Sequence, residues 1–335
     1  MATRHVPRAF IMSSPPGRLV AEPLAAIIGE CGTIDVTVWT DAFGRGDTFL
    51  ETLRRTTLCY DFGILVITPD DPSEVRGRFM VLPRDNVTFE MGLFCSALGP
   101  SRALPVVVAV DGKQPELASD LLGITRTDIA VSRSSDIAVQ VRQQAIGLRR
   151  NILERHERPE YGLLPSTALA IGYFVNFVQP LAEGLELYPR LNIKGEAERE
   201  VKPDQWRLSI CIPDDLASAT RERWAAEANR LKLQQAEVAV PSSSPMPRAY
   251  PFRVGVRTDG RVEIYDTPTT LRTAYDTIRK VMPRSSASHY RMAETRSVSD
   301  FKQTIHHLLA DSGRAHLRDR VEVIYWDELA SRHPS

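Results

Sequence analysis

Phe62 to Thr68 reads FGILVIT and Leu104 to Val110 reads LPVVVAV. Each is a continuous apolar run of strand length, the pattern of a parallel strand covered on both faces. Working outward, Arg8 to Met12 (RAFIM) is a third short apolar run, ending at Ser13, Ser14 and two prolines. Ile34 to Trp39 (IDVTVW) alternates and is rich in β-branched residues, as a strand is. Helical stretches separate these runs, from about Val20 to Glu30, Asp47 to Thr57 and Asn86 to Leu98. The βαβα order predicts an open, mostly parallel α/β sheet, with ligands at the carboxyl ends of its strands. No GxGxxG follows the first strand, which argues against a dinucleotide-binding dehydrogenase.

The regular alternation stops near residues 145–165. Arg149 to Glu160 is mostly charged, and Pro159, Gly162 and Pro165 break the pattern, so residues 1–148 and 164–335 are expected as two domains joined by a linker over 149–163. A chain of 335 residues is long enough for two cores. The second half reads as α+β. A helix from Thr167 to about Glu186 precedes a strand at Trp206 to Ile212 and a polar helix at Ala225 to Glu237. A hairpin follows, Tyr250 to Arg257 and Arg261 to Asp266, turning at Thr258-Asp259-Gly260. Helices at Thr269 to Val281 and Ser299 to Asp311 and a strand at Val321 to Trp326 complete it.

Composition narrows the class. Net charge is zero, so no global field favours a nucleic-acid polymer or an anionic membrane, while a small anionic ligand needs only a few local arginines. Cys31, Cys59, Cys95 and Cys211 form no CxxC pair and are expected as buried free thiols in a reducing, cytoplasmic compartment, with no metal site. Neither a signal peptide nor a membrane span is expected.

Residues 83–98 read PRDNVTFEMGLFCSAL. Asp85 is a good helix N-cap, and Asn86 and Glu90 lie four apart on one helical face. The rest of the helix is apolar on nearly every side, so a glutamate within it is costly unless paired or functional. Two roles are open to Glu90: a buried carboxylate bonded to neighbouring backbone, or a catalytic group. The stretch R-D-N-V-x-F-E-x-G-L-F, with D-F-G-I-L-V-I-T-P-D-D upstream, resembles the predicted nucleotide-binding TIR-like family of bacterial defence proteins. So do Val38 to Leu53 and Phe10 to Ser14, and the resemblance covers about residues 8 to 130. It implies a TIR-like, flavodoxin-like fold that cleaves NAD⁺ to nicotinamide and an ADP-ribose product, with the catalytic glutamate on Glu90. NAD⁺ is then a substrate, and no cofactor is required. A carboxylate near the ribose holds its hydroxyls and stabilises the oxocarbenium charge that develops as nicotinamide leaves. Ser13 and Ser14 are candidates for phosphate or ribose contacts, and Asn86 for orienting the glutamate or a ribose hydroxyl. Trp39 and Phe43 are candidates for stacking on a base, with a core role for Trp39 as the alternative. Arg84 either faces the diphosphate or is a solvated arginine.

Ala170 to Leu181 (AIGYFVNFVQPL) is an apolar helix whose aromatics suit a dimer or domain core. Its Ile171-Gly172-Tyr173 resembles the first helix of the STING cyclic-dinucleotide domain. Arg248-Ala249-Tyr250 resembles the start of the STING lid strands, and Tyr265-Asp266-Thr267-Pro268 the segment that follows them. With the terminal strand, the resemblance spans about residues 163 to 330. It implies that Tyr173 stacks on a base, Arg248 reaches a phosphate or base edge, and Thr267 bonds a guanine edge. Arg253 is a second candidate for the lid role. Asp266 replaces a small residue of animal STING. Its carboxylate can accept both guanine N1–H and N2–H, which favours cyclic di-GMP, unless it merely caps the helix near Thr269.

Together these readings describe a cytoplasmic effector activated by cyclic di-GMP: a homodimer that assembles into higher oligomers and hydrolyses NAD⁺ in bacterial anti-phage immunity. The alternatives are a non-catalytic scaffold that recruits partners, and a nucleoside or nucleotide transferase using Glu90 as nucleophile.

Overall fold

The computed structural model describes residues 5–39, 49–75, 77–117, 125–158, 165–202, 204–244, 250–283, 285–311, 313 and 315–332. The chain divides into two compact units. One comprises His5–Leu163 with Ser286–Arg296, the other Leu164–Ser285 with Ser297–Ser335.

The N-terminal unit runs β1 (Arg8–Ser13), α1 (Arg18–Gly29), β2 (Asp35–Val38), α2 (Phe49–Cys59), β3 (Phe62–Ile67), β4 (Asp71–Val75), β5 (Arg78–Leu82), α3 (Asp85–Leu98), β6 (Ala103–Val110), β7 (Thr127–Val131) and α4 (Ile137–Glu157). Its five-stranded sheet has the order β2-β1-β3-β6-β7 and is parallel throughout. This is the doubly wound flavodoxin-like order, with its switch point between β1 and β3. One face of the sheet packs on α1 and α4 through Ala9, Ile11, Leu24, Ile64, Val106 and Val141. The other carries α3, which packs on β3, β6 and β1. All six residues of β3 are buried, as its unbroken apolar run requires.

Four features differ from expectation. The β4–β5 hairpin is a separate two-stranded sheet, and β7 also went unread. The segment 149–157, expected within the linker, is the end of α4: Leu148 and Ile152 continue its buried stripe while Arg150 and Glu154 face solvent. Asp136, whose side chain accepts from the Ala138 amide at 2.9 Å, starts this helix. Asp85 is not the N-cap of α3, since Arg84 holds that position and Asp85 lies in the first turn.

The C-terminal unit runs α5 (Pro165–Tyr173), a π-helical turn (Phe174–Val178), α6 (Gln179–Leu187), β8 (Arg190–Ile193), β9 (Arg199–Glu200), β10 (Trp206–Ile212), α7 (Arg221–Arg230), β11 (Gln234–Val238), β12 (Phe252–Val256), β13 (Val262–Asp266), α8 (Leu271–Val281), α9 (Ala287–Asp311), α10 (Ala315–Arg318), β14 (Val321–Tyr325) and α11 (Trp326–Arg332). The first ten residues of α9 belong to the N-terminal unit. The seven-stranded sheet has the order β14-β10-β13-β12-β11-β8-β9. Strands β14, β10 and β13 are mutually parallel and the remaining pairs antiparallel. The helix expected over Ala225 to Glu237 stops at Arg230. Beyond it Gln234–Val238 pairs with β12 and β8, because sheet pairing outweighs the helix preference of its glutamines and alanine.

Two cysteines depart from the buried expectation. Cys59 and Cys211 are buried, but Cys95 is half-buried and Cys31, just past the end of α1, is exposed. Among the described residues no helix is long and apolar enough to cross a membrane.

Candidate functional site

In the N-terminal unit the switch point is built from small polar residues. Ser14, at the end of β1, is buried, and its Oγ lies 3.1 Å from Thr68 Oγ1, just beyond β3. The same oxygen accepts from the Gly17 amide at 3.1 Å and so holds the entry to α1. A Cβ at Gly17 would crowd Thr68, Ser13 and Ser14 at 3.1–3.2 Å, so glycine lets the helix start press against both strand ends. Ser14 is therefore part of the frame of the loop, with Ser13 half-buried beside it.

Helix α3 supplies the carboxylate. Arg84 and Asn86 are exposed at its start, and Glu90, one turn further, is 5% exposed. Phe94 lies another turn along the same face, fully buried, its ring stacked on Phe10 of β1 with centroids 6.2 Å apart. Trp39, following β2, meets Phe10 edge-on at 5.8 Å. Trp39 thus packs against a core ring while remaining half-exposed. Glu90 has no hydrogen-bond or charge partner among the described residues, and burial alone pushes its carboxyl up to about 7. The backbone-bonded role open to it in the sequence is not the one it adopts among these residues. A carboxylate buried without a partner among the described residues, with its carboxyl raised toward neutrality, is a candidate functional group. Phe43 lies outside the described residues.

The C-terminal unit contains a cavity of about 620 Å³ between α5, α7 and the ends of β11, β12 and β13. Tyr173, Asp266 and Thr267 line it, together with Arg253. The Tyr173 hydroxyl donates to Asp266 Oδ2 at 2.8 Å. The Tyr173 ring packs on Phe177 at 5.2 Å and Phe301 at 6.0 Å, so its position is set by the core as well as by the carboxylate. Burial raises the Asp266 carboxyl to about 7, against the opposing pull of the Tyr173 hydroxyl and the Thr267 backbone. Burial, with the Asp266 charge and the hydrogen bond to it, keeps the Tyr173 hydroxyl protonated. Helix α8 starts at Leu271 with Thr270 at its N-cap, so Asp266 is too far upstream to cap it. Thr267 is 3% exposed and its Oγ1 accepts from Trp326 Nε1 at 3.1 Å, a bond that fixes the hydroxyl from below.

Arg253 stands opposite Gln235 on one side and Tyr265 on the other, which settles its facing. It lines the cavity without an ion pair or hydrogen bond among the described residues. Arg248 lies outside the described residues. Sequence reasoning missed Arg221, Trp224 and Asn176 on the cavity wall. Asn176 had a readable signal, a polar residue within an apolar helix. From the π turn, its Nδ2 donates back to the Gly172 carbonyl of α5 at 2.7 Å.

Residues 8–131 match the family described as "CAP12/Pycsar effector protein, TIR domain", and residues 165–306 match "Prokaryotic STING domain". The CD-NTase-associated protein 12 of Flavobacterium daejeonense is 32% identical over 327 residues, covering 95% of this chain and 98% of its own. The protein of the same name from Lachnospiraceae bacterium (strain RUG226) is also 32% identical, with the same coverage. A bacterial STING solved in complex with c-di-GMP is 31% identical, spans 50% of this chain and 99% of its own, and superposes with a TM-score of 0.41. With a TIR domain and a prokaryotic STING domain in this order, and relatives matched along nearly their full length, the chain belongs to the CD-NTase-associated protein 12 family of TIR–STING effectors.

Proposed function

We propose that the protein is an NAD⁺ hydrolase of bacterial anti-phage defence that is switched on by cyclic di-GMP. The observation that carries the sensor half is the Tyr173–Asp266 pair on the wall of a 620 Å³ cavity, which Arg253 also lines, unpaired among the described residues. A carboxylate offers two acceptors to guanine N1–H and N2–H, and arginine suits a phosphodiester. Thr267 adds a hydroxyl at the same edge. The effector half rests on Glu90. As the nicotinamide–ribose bond breaks, the bonding electrons leave with nicotinamide and positive charge develops on the ribose. Glu90 stabilises that charge, and water then attacks the ribose carbon and releases a proton to give an ADP-ribose product. Ser13, Asn86 and Arg84 are the polar groups assigned to hold the substrate, with Trp39 and Phe43 assigned to base stacking.

In this reading two protomers share one cyclic dinucleotide in a cleft on their two-fold axis. The occupied dimers associate further and bring their TIR domains together, so activity depends on assembly. The test is nicotinamide release from NAD⁺ measured against a panel of cyclic dinucleotides, with Glu90→Gln as control. Release that depends on cyclic di-GMP and on Glu90 supports the reading. No release from an assembled, ligand-bound protein makes the TIR domain a scaffold instead.

A further inference from the structure

The cavity wall holds an arginine on a different element from the lid strands. Arg221 is the first residue of α7, and the Thr220 hydroxyl fixes the helix start by accepting from the Arg223 amide at 3.3 Å. The neighbouring arginines are committed. Arg223 donates to Ser218 Oγ at 2.9 Å, and Arg230 pairs with Glu227. Arg272 reaches the Ala217 carbonyl at 2.6 Å and Asp276 at 3.3 Å. Arg221 lines the cavity with neither an ion pair nor a hydrogen bond among the described residues, as Arg253 does.

An arginine beside its own carboxylate is neutralised. One left unpaired on a cavity wall keeps its charge and its fork of donors for whatever enters. The same wall carries Asp266, whose negative charge suits the base edge and repels a phosphate. The base and the phosphate therefore need separate recognition elements, and Arg221 stands on a helix whose start adds partial positive charge.

We propose that Arg221 is a phosphate-holding residue of this site, reading the phosphodiester of a cyclic dinucleotide from α7 while Asp266 reads the base from β13. The inference rests on the cyclic-dinucleotide reading of the cavity. Per protomer, Arg221 and Arg253 match in charge one phosphodiester and one ionised Asp266. The phosphate contact is common to all cyclic dinucleotides, so Arg221 contributes affinity and not base choice.

The experiment is calorimetric titration of the full chain with cyclic di-GMP, cyclic di-AMP and the mixed guanine–adenine dinucleotide at two salt concentrations. The proteins compared are wild type, Arg221→Gln and Arg221→Lys. Arg221→Gln is expected to weaken every dinucleotide the wild type binds by roughly 10- to 100-fold, with an unchanged ratio between bases. Its salt dependence should flatten, and Arg221→Lys should recover part of the loss. Wild-type affinity in Arg221→Gln, or a loss confined to one base, overturns the assignment. So does a drop in melting temperature large enough to account for the lost binding. Failure of the guanine reading appears separately, as equal wild-type affinity for cyclic di-GMP and cyclic di-AMP, and leaves the Arg221 comparison intact. A wild type that binds none of the three overturns both.

Discussion

The last residue of α5 and the last residue of β13 meet through one hydrogen bond, from the Tyr173 hydroxyl to Asp266 Oδ2 at 2.8 Å, across 93 positions of sequence. The acceptor is a carboxyl raised to about 7 by burial, so it is partly protonated at neutral pH. Guanine N–H groups favour the ionised form. Binding of cyclic di-GMP should therefore expel protons, and affinity should rise from pH 6 to pH 8 and level off above. Calorimetry in buffers of different ionisation enthalpy reads this directly, and pH-independent affinity would count against Asp266 as the base reader. Asp266→Ala should lose cyclic di-GMP selectively, by roughly 1–3 kcal/mol per guanine, with thermal stability nearly intact.

Tyr173→Phe removes the donor that opposes the burial effect on Asp266. The carboxyl should then titrate higher, so the midpoint of the pH–affinity curve should move up. Cyclic di-GMP binding at pH 7 should weaken by about 1 kcal/mol and recover substantially by pH 8.5. A loss independent of pH would mean that the tyrosine acts through packing alone.

In the proposed reaction, Glu90 ties activity to a stability cost whose sign follows from its burial. Its carboxyl is raised from 4.5 to about 7 by burial, so the folded protein holds a proton that the unfolded chain has lost between those values. Stability should fall as pH rises through that window, and the ionisation penalty should be complete above it. Glu90→Gln should abolish nicotinamide release yet melt higher than wild type at pH 8, by about 1–3 kcal/mol, with the difference vanishing near pH 4. Wild-type kcat/KM should fall on the acid side of about pH 7. An acid limb near the ordinary glutamate value, or wild-type turnover in the variant, would remove Glu90 from the chemistry.

Asp61 shows the opposite sign. It is 1% exposed and accepts from His5 Nε2 at 2.9 Å and from the Arg8 amide at 2.8 Å, with Arg296 Nε 3.6 Å away. Burial pushes its carboxyl up, but the His5 bond and charge, the Arg296 guanidinium and the Arg8 amide outweigh it and hold the group well below the usual range. The stabilisation is present above about pH 4 and is lost as pH falls below it. Asp61→Asn removes the buried carboxylate that faces His5, the Arg8 amide and Arg296 and should cost roughly 1–3 kcal/mol, read by denaturant unfolding at pH 7. A change under 1 kcal/mol would show that the Asp61 charge adds little to what its neighbours' other contacts already supply.

Gly63 sits in β3 directly against Phe94, and a Cβ there would collide with the ring. Gly63→Ala should push Phe94 off Phe10 and cost about 1–3 kcal/mol, and it should also lower nicotinamide release, because Phe94 and Glu90 share one face of α3. Full activity in a destabilised variant would separate the two effects.

The parallel sheet was legible because each central strand carries its burial in its own composition: FGILVI and ALPVVVAV have no polar side to hide. The β4–β5 hairpin was not, since most of its described residues face solvent and leave no apolar alternation to read. Gln234–Val238 looked helical because its residues favour helices, and only β8 and β12 on either side make it a strand. The charges of α4 hid a stripe spaced at Val141, Ala145, Leu148 and Ile152. At the sites, Glu90 stood out as a carboxylate in an apolar helix, whereas Asp266 was marked by the resemblance of Tyr265-Asp266-Thr267-Pro268 to the STING segment. The partnership of Asp266 with Tyr173 and the place of Arg221 on the same wall depend on distant segments, and no local pattern encodes them.

The π turn at Phe174–Val178 gives the helix that carries Tyr173 an uneven phase. Each residue of an α-helix advances the side chains by about 100°, so the wider turn offsets the azimuth of α5 from that of α6. Tyr173 can then point at Asp266 while Leu181 and Leu185 stay in the core. The coupling between hydroxyl and carboxylate is thus encoded in chain length as much as in residue identity. Removing Asn176 altogether would rephase the helix and swing Tyr173 away from its acceptor, whereas Asn176→Ala would only uncover the Gly172 carbonyl.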